Sequence, residues 1–309
     1  MKANLLTIAA LAVTAHAQVH RVPHHRHAHL KKDEPVAAPS YSGGSSSDGG
    51  SGGSGSGASG LGIAYSPYRA DGTCKDSSEV KSDFEKINGY GMVRLYGTDC
   101  HQTANVLAAA KPKNMKIMAG IFDINNVADE AQCIIEAAKN DWDSIHTVSV
   151  GNELVNQGTP AGTVVAAIGT ARDVLQGAGY NGNVVTVDTF VAMIANPSIC
   201  EASDYAAANC HAFFDGGRTA EQAGPFVKEQ AERVKNACGG KKTVITESGW
   251  PWKGESNGVA VADKQNQGVA IQSLKDNFSK NLVLFTAFDD LWKKDSGDTY
   301  GCEKYYGIL

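Results

Sequence analysis

The sequence predicts a single (β/α)8 TIM barrel preceded by a disordered tail. Three observations lead to this fold class. The chain changes character near residue 61, the 249 residues from there onward have a globular composition, and short apolar runs alternate along them with stretches of helical period. A single α/β barrel commonly takes about 200–250 residues. Residues 61–309 are therefore expected to form one domain.

Eight apolar runs have the length of strands, and amphipathic segments separate them. An open doubly wound sheet would account for part of this alternation, but it rarely needs eight units, whereas an eight-stranded barrel uses them all. The predicted strands are 61–65, 92–96, 116–122, 147–152, 184–188, 207–213, 243–246 and 282–288; segments with helical spacing include 78–87, 127–139, 161–176, 220–237 and 263–277.

Residues 1–17 have the features of a secretory signal peptide. Lys2 supplies the positive charge, residues 5–13 form a short apolar stretch, and Ala15-His16-Ala17 is a small-x-small cleavage site. A membrane anchor would need about 20 apolar residues, and no other run in the sequence approaches that length. We therefore predict a secreted protein that has no membrane contact once the signal is removed.

Two further segments precede the predicted barrel. Residues 18–39 are basic and rich in histidine, with five histidines between positions 20 and 29, and they include the dibasic pair Lys31-Lys32. This tract is either a metal-binding segment or a propeptide-like solvated tail; we favour the tail and predict no metal site, because no cysteine or acid lies inside the tract to fix a coordination geometry. Residues 40–60 are a Gly/Ser linker, with 18 of 21 positions occupied by these two residues.

The charge balance limits the partners of the body. Residues 61–309 contain 23 basic and 30 acidic residues. Nucleic acids and anionic membranes favour clustered positive charge, so a mildly acidic body argues against both as partners. No motif in the body indicates a cofactor, and we predict none.

The cysteines and one glycosylation motif add two expectations. A secreted chain with seven cysteines should form some disulfides and keep at least one cysteine unpaired, but the sequence leaves the pairing open. None of the cysteines forms a C-x-x-C pair. The sequon at Asn277 is expected to be exposed on the helix before the last strand.

Polar residues gather where the predicted strands end. Arg94 and Tyr96 lie in the second strand, Asp188 ends the fifth, and Trp292 follows the eighth. The carboxyl ends of barrel strands form the active-site face, and carboxylates cannot lie in a packed core without partners. A polar cleft at this end of the barrel is the simplest explanation.

Two glutamates in that cleft could perform acid–base chemistry. Glu153 closes the fourth predicted strand and Glu247 the seventh, and these two strands lie across the barrel mouth from each other. Cleavage of a glycosidic bond needs one carboxylic acid to protonate the leaving oxygen and one carboxylate to attack the anomeric carbon or to activate water. Either glutamate alone could equally be a helix cap or a surface residue; their joint placement favours the catalytic pair.

These residues lie in motifs that carry a family resemblance. Val150-Gly151-Asn152-Glu153 and Thr246-Glu247-Ser248-Gly249-Trp250-Pro251 resemble the two active-site signatures of glycoside hydrolase family 17, which contains β-1,3-glucanases and glucanosyltransferases with a (β/α)8 fold. Residues 61–309 as a whole resemble the secreted fungal cell-wall branch of that family, in which histidine-rich and Gly/Ser segments are common. One departure is Lys31-Lys32 in place of the usual Lys-Arg.

The resemblance implies a retaining double displacement on β-glucan. It makes Glu153 the general acid/base and Glu247 the nucleophile, with the two carboxyls about 5–5.5 Å apart. Asn152 would hold the sugar 2-hydroxyl, and Arg94 would either orient Glu247 or form a purely structural ion pair with it. The weaker candidates for substrate contact, any of which could be rim packing instead, are Tyr65, Tyr96, Asp188, Phe213, Trp250 and Trp292.

Three functions remain open on the sequence alone. The first is a secreted, monomeric hydrolase or glucanosyltransferase that remodels β-1,3-glucan in the cell wall. The second is an exo-acting β-glucosidase. The third is a non-enzymatic wall mannoprotein or adhesin on a barrel scaffold, against which stands the presence of both Glu153 and Glu247, because degenerate binders usually lose one carboxylate.

Overall fold

Eight parallel strands close into a barrel in which β1 to β8 pair in sequence order and β8 pairs with β1. The computed structural model describes residues 59–139 and 141–309. The predicted signal peptide, the histidine-rich segment and nearly all of the linker lie outside the described residues. The strands are β1 (Ser59–Ala64), β2 (Tyr90–Arg94), β3 (Lys116–Ile121), β4 (Ile145–Asn152), β5 (Asn183–Thr189), β6 (Ala206–Asn209), β7 (Thr243–Ser248) and β8 (Lys280–Leu284).

A helical connection lies between each pair of consecutive strands, as parallel pairing requires. The connection between β5 and β6 consists of two short helices, which the helical spacing of the sequence did not predict. The helices are α1 (Ser77–Lys86), α2 (Gln102–Ala110), α3 (Val127–Ala138), α4 (Ala161–Gly177), α5 (Phe190–Ala195), α6 (Pro197–Ala202), α7 (Ala223–Ala237) and α8 (Lys264–Asn277). The predicted (β/α)8 barrel is confirmed.

Helix α1 illustrates how the local sequence sets an element. The Asp76 carboxylate accepts hydrogen bonds from the N–H groups of Ser78 and Glu79, and the Glu79 carboxylate accepts one from the Asp76 N–H. This reciprocal cap satisfies N–H groups that a helix start leaves unpaired. Val80 and Phe84, four residues apart, are then buried on the barrel side.

The barrel begins two residues earlier than predicted. Gly60, which the composition places in the linker, pairs with Lys280 of β8. A side chain at this position would lie 2.6 Å from the Ser279 carbonyl oxygen, so the close approach of the two strands requires glycine.

Five strands end earlier than predicted: β1 and β3 by one residue, β2 by two, and β6 and β8 by four. β6 stops at Asn209 because the chain then turns into a short 3-10 helix at Ala212–Asp215. Beyond β8, the chain pairs with the C-terminal segment instead: the Thr286 N–H donates to the Tyr306 carbonyl. The early end of β6 leaves His211, two residues further along, beside Glu247.

Two disulfides join segments that are distant in sequence, one between two loops and one between α6 and the end of α7. Cys74 pairs with Cys100, which links the β1–α1 and β2–α2 connections, and Cys200 pairs with Cys238. Cys133 is free and exposed, and two further free cysteines, Cys210 and Cys302, are buried. The expectation that some cysteines pair and at least one stays free is confirmed. None of the helices in the described part of the chain is long and apolar enough to cross a membrane.

The sequon at Asn277 begins on the helix before the last strand, as predicted, but only its Ser279 is exposed. Asn277 ends α8 half-buried, and its Nδ2 donates to the Ser273 carbonyl at 2.9 Å. The same amide lies beside Gly224 of α7, where an added side chain would overlap the Ser273 carbonyl. The side chain therefore belongs to the contact between two helices.

We expect Asn277→Gln to lower the free energy of unfolding by about 1 kcal/mol, because the longer side chain gives up this hydrogen bond and crowds Gly224. Thermal unfolding of protein made in a host without N-glycosylation measures the change, with a loss in Tm of about 2–4 °C. Ser279→Ala is the matched control, since it destroys the sequon at an exposed position and should change stability by less than about 0.5 kcal/mol. Equal stability of Asn277→Gln and the wild type would contradict the structural role.

Candidate active site

The inside of the barrel changes from apolar to polar at the carboxyl ends of the strands. An apolar cluster that includes Ala207 and Val244 is fully or nearly fully buried. Two residues further along β6 and β7 come Asn209 and Thr246, on the same faces because strand side chains alternate. The polar layer therefore lies directly above the packed interior, at the end of the barrel where the cleft was predicted.

A β-bulge aims Glu247 into this layer. Ala208 pairs with Ile245, but the next residue, Asn209, pairs with Glu247, so Thr246 is an extra residue on β7. Strict alternation would point Thr246 and Glu247 to opposite faces. The bulge turns the strand locally, and bulges of this kind are common next to active sites.

A second irregularity lies on β4. Between the pairs Ser149–Val185 and Asn152–Val187, β4 advances by three residues while β5 advances by two. Gly151, inside this irregular stretch, has φ +75°, a conformation that favours glycine. The irregularity brings the end of β4 into the cleft.

Glu247 is held by three donors. Its Oε1 accepts hydrogen bonds from Arg94 Nη1 at 2.7 Å and from the Tyr96 hydroxyl at 2.9 Å. Its Oε2 lies 3.2 Å from His211 Nε2. Burial favours a raised pKa, but the Arg94 charge and the His211 contact outweigh it and bring the pKa of Glu247 down to about 2. The carboxyl is therefore ionised and fixed in orientation.

Glu153 has the opposite electrostatic environment. It lies just past the end of β4 with φ +57°, and its Oε1 accepts a hydrogen bond from Asn209 Nδ2 at 2.8 Å. Burial, and after it the negative charge of Glu247, raise the pKa of Glu153 above its ordinary value, while the Asn209 hydrogen bond opposes the rise. Glu153 is thus the carboxyl of the pair that retains its proton longer as pH rises.

Arg94 and Asn209 join the two glutamates into one network. Arg94 is 1 % exposed and donates to Glu247, to Asn209 Oδ1 at 3.2 Å and to Asn152 Oδ1 at 2.7 Å. The Asn152 oxygen also accepts from Asn209 Nδ2, so the Asn152 oxygen has two donors. Within the described residues, Asn152 Nδ2 has no hydrogen-bond acceptor. This amide N–H group is therefore available to donate to a ligand hydroxyl. The expected contact between Arg94 and Glu247 is present.

Three predicted substrate contacts are wrong. Tyr65, Phe213 and Trp250 have no exposed surface. The Tyr65 hydroxyl donates to Asp83 of α1, which lies outside the strand barrel. Phe213 and Trp250 pack edge to face with ring centroids 5.4 Å apart, and Trp250 Nε1 donates to the Val261 carbonyl. Tyr65 thus packs against α1 and the other two rings pack against each other, because full burial stabilises large rings more than a half-exposed position would.

Asp188 is also not a substrate contact. It is completely buried, and its carboxylate accepts hydrogen bonds from the backbone N–H groups of Val155, Asn156 and Thr189. A strand-end carboxylate in a cleft could satisfy its oxygens with ligand or with protein donors, and here the protein donors occupy it.

Two of the other predicted contacts, Tyr96 and Trp292, keep exposed surface, and Tyr96 contacts Glu247. Tyr96 is half-buried beside Glu247, and Trp292 is half-buried with its ring 4.8 Å from that of Tyr68. Trp292 Nε1 donates to Asp290 at 3.1 Å, which fixes the ring. Their contact with substrate stays a prediction.

The sequence reasoning missed Asn209 and His211 as partners of the two glutamates. Asn209 ends the alanine-rich strand β6 and His211 lies two residues beyond it, and polar residues beside such a strand were the available signal. It also missed two exposed aromatic residues, Phe122 after β3 and Phe214 after β6, which are 64 % and 40 % exposed. Such rings at the strand ends can stack on sugar faces.

The two pKa shifts predict the pH dependence of any reaction that needs ionised Glu247 and protonated Glu153. Activity should persist in mildly acidic solution and fall as pH rises through the raised pKa of Glu153. Asn209→Ala removes a hydrogen bond that stabilises the ionised form, so the pKa of Glu153 should rise further. We expect the alkaline limb of the kcat/KM profile to move to higher pH, together with a lower maximum; a shift to lower pH would contradict the assignment.

A (β/α)8 barrel whose cleft holds one ionised and one proton-retaining carboxyl is the arrangement of a glycosidase. The model of the BtgE/BtgC glycoside hydrolase domain matches residues 62–307. The chain therefore belongs to the BtgE/BtgC glycoside hydrolase family, and the resemblance to glycoside hydrolase family 17 is confirmed.

Several named proteins are similar over the same region. The "Probable family 17 glucosidase SCW10" of Saccharomyces cerevisiae is 51 % identical over 252 residues, which are 80 % of this chain and 64 % of that protein. The "Cell surface mannoprotein MP65" of Candida albicans is 50 % identical over 80 % of this chain and 66 % of its own length. The chain thus spans slightly less than two thirds of these relatives.

Solved structures share the fold. A β-1,3-glucanosyltransferase of Rhizomucor miehei in complex with laminaritriose has a TM-score of 0.69 and 22 % identity, over 81 % of this chain and 92 % of that one. A plant β-glucan endohydrolase has a TM-score of 0.59 and 18 % identity, over 80 % of this chain and 96 % of that one. The same barrel therefore occurs in proteins named for transfer and for hydrolysis.

Proposed function

We propose that this protein is a secreted, retaining β-glucan hydrolase or glucanosyltransferase that acts on β-1,3-glucan of the cell wall. The main observation in support of this proposal is the pair of carboxyls of Glu153 and Glu247. Their pKa values are shifted in opposite directions, and hydrogen bonds through Arg94 and Asn209 connect them. Family membership supports the reaction type, and the names of the relatives support the substrate class and the location in the wall.

In the proposed first step, Glu247 attacks the anomeric carbon while Glu153 protonates the leaving oxygen. The three donors on Glu247 hold its carboxylate in place, so little reorganisation accompanies bond formation. Asn152 Nδ2 donates to the sugar 2-hydroxyl, a contact that strengthens in the transition state. In the second step Glu153, now ionised, removes a proton from the attacking water or sugar hydroxyl.

Hydrolysis and transfer differ only in what attacks the glycosyl-enzyme. Tyr68, Trp292 and Phe122 supply aromatic surface that could hold a sugar acceptor near the cleft and compete with water. We therefore expect transfer to contribute to turnover. The exo-acting β-glucosidase uses the same carboxyl pair and is the second candidate.

A time course of products from reduced laminari-oligosaccharides tests the proposal. Chains longer than the substrate indicate transfer. Cleavage into two shorter oligosaccharides, one of which carries the reduced end, indicates endo-hydrolysis. Release of glucose together with a reduced chain that is one unit shorter indicates the β-glucosidase. No new product from any β-glucan, by folded protein over the acidic to neutral pH range, would contradict enzymatic function and favour the non-enzymatic wall protein.

A further inference from the structure

A third carboxylate holds the loop that carries Glu153. Asp188 lies at the end of β5 without exposed surface. Its Oδ2 accepts the Val155 N–H at 2.8 Å, and its Oδ1 accepts the N–H groups of Asn156 at 3.2 Å and Thr189 at 2.9 Å. One carboxylate thus ties the second and third residues after Glu153 to the neighbouring strand.

The turn at Glu153 needs such a constraint. A positive φ is unfavourable for a glutamate, and residues stay in that region only where the surrounding structure holds them. The Glu153 N–H donates to the Val187 carbonyl, and the Gln157 N–H donates back to the Glu153 carbonyl. The first N–H groups of this tight turn have no carbonyl partner within it, and Asp188 accepts two of them.

We propose that Asp188 is a positioning residue for the general acid: by clamping Val155 and Asn156 to β5, it fixes the turn from which Glu153 reaches the Asn209 amide and the cleft. The inference deepens the proposed function and rests on it. Thr189 adds a second link, since its hydroxyl donates to Asn156 Oδ1 at 3.2 Å.

The charge of Asp188 also acts on Glu153. Four groups on four elements influence the pKa of Glu153: Glu247 on β7 and Asp188 on β5 raise it, whereas Asn209 on β6 and His211 after it lower it. Loss of the Asp188 charge should therefore lower the pKa of Glu153. The pKa of Glu153 should therefore move in opposite directions in Asp188→Asn and in Asn209→Ala. A non-specific loss of structure around Glu153 would not produce this difference in direction.

The test is Asp188→Asn in the full chain, measured with two substrates. Reduced laminari-oligosaccharides have a poor leaving group and need protonation, whereas a 2,4-dinitrophenyl β-laminaribioside does not. A displaced general acid should reduce kcat/KM for the oligosaccharides by about 10²-fold, with a much smaller loss for the aryl substrate in its first step. The alkaline limb should move to lower pH.

Asp204→Asn is the matched control. The Asp204 carboxylate also accepts a backbone N–H, from Val184 at 2.6 Å, and pairs with Arg172. Asp204 lies between α6 and β6, next to the start of β5, whereas Asp188 lies near the end of that strand. Its loss should affect stability and leave both the leaving-group dependence and the pH profile unchanged. The same leaving-group-dependent loss in Asp204→Asn would overturn the proposal.

Thr189→Val tests the clamp without removing a charge. It should produce a smaller leaving-group-dependent loss with the alkaline limb unmoved, and Thr189→Ser should restore the wild-type ratio. If Asp188→Asn does not fold, Thr189→Val tests the proposal in its place. A wild-type ratio of kcat/KM values for the two substrates in Thr189→Val would then overturn the proposal.

The remaining outcomes distinguish a failure of the proposed role of Asp188 from a failure of the proposed enzymatic function. Equal losses on both substrates with an unmoved pH profile, or no loss, would overturn the role of Asp188 while turnover by the wild type still supported the enzyme. A wild type that is inactive on both substrates would overturn the proposed function, and the clamp with it.

Discussion

Glu247→Gln is expected to abolish turnover of every β-glucan substrate, with a loss in kcat on the order of 10⁵-fold. An amide of the same shape keeps the packing, but it cannot attack the anomeric carbon, and it no longer attracts Arg94 as a charge. Turnover of laminari-oligosaccharides, followed by product separation, measures the loss. Glu229→Gln, at an exposed position of α7, is the matched control and should retain wild-type activity.

A shortened nucleophile gives a sharper version of the same prediction. Glu247→Gly leaves space where azide can bind and attack an activated glucoside from the face that Glu247 used. The expected product is the α-glycosyl azide, because a single displacement inverts the β configuration. A β-glycosyl azide from this variant, or wild-type activity in Glu247→Gln, would contradict the role of Glu247 as nucleophile.

Glu153→Ala is expected to reduce kcat/KM for unactivated β-glucan by about 10²–10⁴-fold, the contribution typical of general acid–base catalysis. Substrates with a good leaving group need little protonation, so their first step should survive. The glycosyl-enzyme should then accumulate, because no base activates water in the second step. A burst of aryl alcohol followed by a slow steady state measures this difference.

Azide distinguishes the two glutamates by stereochemistry. In Glu153→Ala it should speed the breakdown of the intermediate and yield the β-glycosyl azide, because attack on the intermediate restores the original configuration. Opposite azide anomers from the two variants follow only if both roles are assigned correctly. Exchanged anomers would exchange the roles, and unchanged turnover of unactivated glucan would remove Glu153 from the mechanism.

The barrel was predictable from sequence because its determinants are local and repeated. Each strand is an apolar run and most connecting helices have an amphipathic period, as in α1, where Asp76 caps the first turn and Val80 and Phe84 are buried. The short helices α5 and α6 escaped prediction because six residues contain too few turns for a period. β6 and β8 were predicted too long, since the residues after them are apolar for reasons of loop packing.

The two glutamates were predictable for a related reason. Both directly follow a strand-like run, and the carboxyl ends of barrel strands converge on one face. Tyr65, Phe213 and Trp250 were misassigned because an aromatic residue at a strand end has the same sequence signal whether its ring lines the cleft or packs beneath a loop. Burial distinguishes the two cases, and it depends on helices and loops distant in sequence.

The amino-acid sequence by itself specified the alternation of strands and helices, the barrel, and the presence of two carboxyls at the ends of β4 and β7, because each of these follows from nearest neighbours and from period. The family resemblance assigned the acid/base role to Glu153, but only the tertiary structure supplies the physical reason that Glu153 is the carboxyl that holds its proton. Glu247 faces Arg94, Tyr96 and His211, while Glu153 faces chiefly Glu247 and the Asn209 amide. A pKa is set by burial and by the charges and hydrogen bonds within a few ångströms, and here the side chains that contact the two glutamates lie 36 to 153 residues away from them along the chain.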